Sequence, residues 1–115
     1  MKIVVRDLVG ENAITLEDGD KIYRNIFPAL KSEEKTSIDF TGVKVFASPF
    51  FNAAIGKLLK DFTAETLNRL ISFLSLNAVG SDVLKRVIQN SKQFYSNPEV
   101  QKAVERTISQ RSEEH

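Results

Sequence analysis

The sequence has 115 residues, the size of one domain, and its 42% hydrophobic and 27% charged content argues against intrinsic disorder. Sixteen Lys and Arg against fifteen Asp and Glu give a net charge of +1, which argues against the basic stripe of a nucleic-acid-binding domain. Cysteine is absent and the one histidine is the terminal His115, which removes disulfides, thiolate metal sites, a Cys nucleophile and most histidine-based catalysis. The composition therefore points to a small non-catalytic domain without a metal or cofactor.

At the N-terminus, Ile3-Val4-Val5 is β-branched and reads as a first strand. Three apolar residues fall short of a signal peptide's core of about 7–15. No stretch approaches the ~18 apolar residues of a membrane span, so the expected location is the cytoplasm. After a turn at Gly10, Thr15 and Asp18 have the spacing of a capping box. Leu16, Ile22, Tyr23, Ile26, Phe27 and Leu30 then recur mostly at helical spacing, predicting a helix from Leu16 to Lys31 that Pro28 kinks or ends early. The acidic cluster Glu17-Asp18-Gly19-Asp20 lacks the twelve-residue spacing of a calcium loop and suits a helix's first turn.

Beyond the charged connector Lys31–Lys35, Thr36–Thr41 reads as a strand, with Ile38 and Phe40 on one face and Asp39 on the other. Gly42 turns the chain, and Val43, Val45 and Phe46 form a short extended piece. Ser48-Pro49 predicts an N-cap and first helical residue, opening a helix from Pro49 to about Asp61. Gly56 inside it implies close packing against a strand. A short helix over Thr63–Leu67, a buried strand over Leu70–Leu76 and a turn at Asn77–Gly80 follow. Ser81 then caps a helix bearing Val83, Leu84, Val87, Ile88 and Phe94, which Asn97-Pro98 breaks. A last helix has Val100, Ala103, Val104, Thr107 and Ile108 on its apolar side, and Arg111–His115 frays. Basic residues on these last helices, such as Lys85, Arg86, Lys92 and Lys102, are offset by acids and read as solvated faces. Strands that alternate with helices predict an α/β layer fold.

The most specific stretch is Ile38-Asp39-Phe40-Thr41-Gly42-Val43-Lys44-Val45-Phe46-Ala47-Ser48. It resembles the signature of the STAS domain of sulfate transporters and bacterial anti-sigma factor antagonists. That pattern is an apolar-Asp-apolar strand, a polar-Gly-Val turn, an apolar pair, and an Asp-Ser-Ser-Gly motif at a helix start. Ser48 falls nine positions after Asp39, as the family spacing has it. The stretch is most similar to a STAS-like family of bacterial domains of unassigned function. In the antagonists the serine is phosphorylated by a partner kinase that is also the anti-sigma factor, and Ser48 takes that position. Ala47 replaces the antagonists' Asp, and Pro49-Phe50 replaces their Ser-Gly.

Each candidate has a plain and a functional reading. Ser48 is a helix cap or a phospho-switch; Asp39 accepts backbone N–H groups in its turn or contacts a kinase. Phe50 and Phe51 are both core, or one is an exposed aromatic anchor. The resemblance implies a single STAS-like domain over residues 1–115, with about four strands in a mixed sheet and helices mainly on one face. It implies a cytoplasmic regulatory module, monomeric or weakly dimeric, that binds neither membrane nor nucleic acid. Its partner would be an ATPase-type kinase or anti-sigma factor, engaged through Asp39, Thr41, Ala47, Ser48, Pro49, Phe50 and Phe51. The competing reading is a module that takes a nucleotide or lipid, with an anion at the helix start.

Overall fold

The computed structural model describes residues 1–96. The expected break at Asn97-Pro98, the last helix and the tail lie outside the described residues. Three strands, β1 (Lys2–Val4), β3 (Thr36–Asp39) and β5 (Ile71–Leu74), form a parallel sheet in the order β1-β3-β5. Two shorter strands, β2 (Asn12–Ala13) and β4 (Val45–Phe46), pair in parallel as a separate sheet. The expected mixed sheet of about four strands is thus corrected to three plus two, and every described pairing is parallel.

The reason lies in two interruptions at the same level. A one-turn helix, α1 (Val5–Val9), and the positive-φ Gly10 separate β1 from β2. The turn at Gly42, with φ of 81°, separates β3 from β4. The neighbours of the first sheet are kept past both breaks. The Lys44 amide donates to the Glu11 carbonyl at 2.8 Å, and that of Ala47 to the Ala13 carbonyl at 3.0 Å.

Helix α2 spans Leu16–Lys31, with Thr15 accepting a bond from the Asp18 amide at 3.1 Å. It runs through Pro28 without ending early. A proline in a helix interior costs about 3 kcal/mol. Burying Leu30 beyond it returns about 1.5–3 kcal/mol, and Ala29 is buried too.

Helix α3 (Ser48–Ala54) is shorter than expected, and a 3-10 turn over Gly56–Lys60 replaces its second half. In a 3-10 turn residues three apart eclipse, which lets Ile55 and Leu58 both face the core. The expected neighbour of Gly56 was a strand; it is a helix instead, α5 (Ala78–Ser96). A methyl group on Gly56 would lie 2.7 Å from the Ser91 hydroxyl oxygen. Helix α4 (Ala64–Leu70) is capped by Thr63, whose hydroxyl accepts from the Thr66 amide, and Leu70 closes it instead of opening the strand. Helix α5 starts before Ser81. The Asn77 carboxamide oxygen accepts from the Gly80 amide at 2.8 Å, so Asn77 supplies the cap expected of Ser81.

In the three-stranded sheet Ile3 aligns with Ile38, and Ile38 with Phe73. That face, with Thr36 and Ile71, is covered, and it packs into one core with Ile22 and Ile26 of α2, Phe50 and Phe51 of α3, and Leu84 and Val87 of α5. The other face presents Lys2, Ser72 and Leu74 to solvent, with Val4, Ser37 and Asp39 half-buried. Helices therefore cover one face of the sheet, as expected.

Candidate functional site

The surface around Ser48 is built on an aromatic floor. Phe40 on the β3 exit, Phe46 on β4 and Phe51 on α3 stand with ring centroids 5.9 Å apart in each pair. Phe50 meets Phe51 edge-on at 5.4 Å. Both Phe50 and Phe51 are fully buried, so neither is an exposed anchor. Adjacent residues on a helix project about 100° apart. Both can be buried because α3 is packed on more than one side. α2 comes so close that a methyl group on Gly19 would collide with the Phe50 carbonyl oxygen.

Ser48 and Pro49 are exposed above this floor. The cap position belongs to Ala47, with extended backbone at φ −140° and ψ 151°, and no side chain caps the helix. Ser48 is therefore the first helical residue and Pro49 the second, so the helix starts one residue earlier than the Ser-Pro pair predicts. The cause is the Ala47 amide, which bonds to Ala13 and holds Ala47 in the strand pairing. Ser48 leaves its hydroxyl free of capping work.

Asp39 and Thr41 do a different job. The Thr41 amide and hydroxyl both donate to Asp39 Oδ1, at 2.9 Å and 2.6 Å. Lys2 Nζ stands 3.5 Å from Oδ2. The carboxylate thereby pins the turn that carries Gly42. The Thr41 hydroxyl, then the Thr41 amide and the Lys2 charge hold its pKa below the ordinary aspartate range against the opposing effect of partial burial. Its partners lie in its own turn and on β1. Asp39 is thus a backbone acceptor of the kind the sequence allowed, and it supports the Ser48 surface from the strand end.

Four exposed apolar side chains lie on segments that adjoin the helix start: Ile14, Leu16, Val45 and Val79. Ile14 and Leu16 flank the Thr15 cap, directly after the Ala13 carbonyl that holds Ala47. Val79 is 65% exposed in the first turn of α5. That turn abuts β4, since a methyl group on Gly80 would fall 3.1 Å from the Phe46 ring. Sequence reasoning missed these four. The alternation of Val45 and Phe46 was a usable signal, because a strand cannot turn both side chains inward.

The acidic start of α2 is paired: Asp20 holds Lys57 and Arg24, and Asp18 holds Lys21. The Lys57 and Arg24 hydrogen bonds hold Asp20 below the ordinary aspartate range. Among the described residues no three acidic or histidine side chains cluster as metal ligands. None of the described helices is long and apolar enough to cross a membrane.

The model of a family described as a STAS-like domain of unknown function matches residues 18–80, more than half of the chain. The chain belongs to this STAS-like family. The matched part of the STAS-like domain runs from the first turn of α2 to the first turn of α5, and so includes Asp39, the turn and Ser48. No curated protein and no solved structure matches the chain.

Proposed function

We propose that this STAS-like domain is a non-catalytic, cytoplasmic regulatory module that binds a protein partner at the start of α3, with phosphate on Ser48 as the gate. One observation carries the reading. Ser48 is an exposed hydroxyl with no capping role, on a rigid aromatic floor, and exposed Ile14, Leu16, Val45 and Val79 lie on adjoining segments. Exposed apolar side chains grouped at one place favour burial against another protein. A phosphate adds about −1.5 to −2 charges, large against a net charge of +1. Burying that charge in an apolar contact is costly, so phosphorylation would release the partner without unfolding the domain.

The antagonists that this stretch resembles are phosphorylated at the same position by an ATPase-type kinase. Ala47 in place of their aspartate removes a like charge beside the phosphate. It also removes a group that such a kinase could read. Incubation of the chain with ATP and a candidate ATPase-type kinase, followed by mass measurement, tests the proposal. One phosphate mapped to Ser48 is the expected result. No phosphate and no complex would remove the mechanism.

A further inference from the structure

We propose that a second copy of this chain docks on the Ser48 face, forming a weak two-fold dimer through Ile14, Leu16, Val45 and Val79. The inference rests on the reading of that face as a docking surface and adds the occupant that covers it when no other partner is bound. In the β2–β4 pair Ala13 stands opposite Phe46, and Asn12 opposite Val45. Ala13 is buried and Phe46 half-buried, so that side of the pair turns inward. Alternation sets Asn12 and Val45 on the outward side, where both are exposed, and Ile14, one residue past β2, is exposed with them. Val79 lies next to Gly80 in the turn that abuts the Phe46 ring. Four of the seven large apolar side chains exposed among the described residues therefore belong to adjoining segments. Apolar groups gathered in this way mark a contact surface.

Charge indicates the occupant. Residues 12–16, 45–56 and 70–81 supply this face and its surroundings, and none of them is Asp, Glu, Lys or Arg, although those four types make up 27% of the chain. A face without charge cannot select a partner by opposite charge. What it matches is another neutral, apolar face, and its own copy carries one. In a two-fold interface each patch meets itself, so a patch of one sign would repel its copy, and a neutral patch does not. The charges that bound these segments, Glu11, Glu17, Lys44 and Asp82, are of both signs, and a net charge of +1 sets little long-range repulsion between two copies. Four apolar side chains are few beside the roughly 20–30 residues a side of a standard interface. The dimer is accordingly weak and open to displacement by a better partner.

Sedimentation equilibrium of the full chain tests this. The weight-average mass should climb from that of one chain toward that of two as concentration rises through roughly 10 µM to 1 mM. Val45→Asp and Val79→Asp, which each force a carboxylate into the apolar contact, should each weaken dimerisation at least about tenfold. Ser72→Asp puts the same charge on the open face of the three-stranded sheet and should leave the dimer in place. So should raised salt, because the patch has no charge to screen. Circular dichroism spectra that match the wild type show that each variant is folded. A chain that stays monomeric throughout would overturn the proposal. So would a dimer that survives either valine variant, that is lost with Ser72→Asp, or that dissociates in high salt. A monomer would leave the partner reading standing, whereas a kinase that neither binds nor modifies the chain would leave the dimer's mass unchanged, so the two fail separately.

Discussion

At the residue scale, Ser48 and Asp39 divide the work that the motif places nine positions apart. Asp39 is structural, and its effect has a sign. Its native carboxylate is held below the ordinary aspartate range chiefly by the Thr41 hydroxyl, whereas in the unfolded chain it titrates in that range. It therefore contributes stability that is complete above the ordinary range. That contribution fades as pH falls below about 4 toward the depressed native value. Asp39→Asn still accepts from Thr41 but cannot titrate. Urea unfolding at neutral pH and near pH 3 should show the advantage of the wild type over this variant shrinking on acidification. An advantage independent of pH would contradict the account. Ser48 caps nothing. Ser48→Ala should therefore shift stability by no more than about 0.5 kcal/mol, whereas Thr15→Ala, which loses a cap that is present, should cost about 1 kcal/mol. Chemical denaturation of both variants checks the contrast, and a cost at Ser48 equal to that at Thr15 would restore its capping role.

At the element scale, the contact between α2 and α3 positions the site. Gly19 lets α2 lie against the Phe50 carbonyl, and a Cβ added there would also stand only 2.8 Å from the Ala53 Cβ. The obstruction is backbone, so it cannot rotate away. Gly19→Ala should destabilise the fold by about 1–3 kcal/mol, despite alanine's better helix propensity, as overpacked cores do. A thermal midpoint equal to or above the wild type's would show that the helices separate freely. Much of this level was legible. The periodicity of Ile22, Ile26 and Leu30 gave α2 its observed bounds, because a long amphipathic pattern outweighs one proline. Three features were not legible. The strand pair β2–β4 is only two residues long on each side, too short for its pairing to be read from the sequence. The 3-10 turn depends on how closely α5 approaches Gly56, a contact between residues 35 positions apart in sequence. The shift of the cap from Ser48 to Ala47 depends on the bond that the Ala47 amide donates to the Ala13 carbonyl, again a partner that no local motif records.

For the whole molecule, one face of a small parallel sheet carries the helices and the core, and the proposed interaction surface lies where the strands and α3 meet. Parallel sheets are usually covered on both faces. Here the second face is made tolerable in water by Lys2, Ser37, Asp39 and Ser72. The buried rings of Phe40, Phe50 and Phe51 belong to that core, while Ile14, Leu16, Val45 and Val79 stay exposed on segments next to α3. The central claim is that a protein partner docks there and that charge at Ser48 controls it. Its most direct measurement is the affinity of the purified partner kinase for the wild type, for Ser48→Asp and for Ser48→Ala. The account predicts that Ser48→Ala binds as the wild type does and that Ser48→Asp binds at least about tenfold more weakly, a loss of about 1.4 kcal/mol. Equal affinity for all three chains would contradict it.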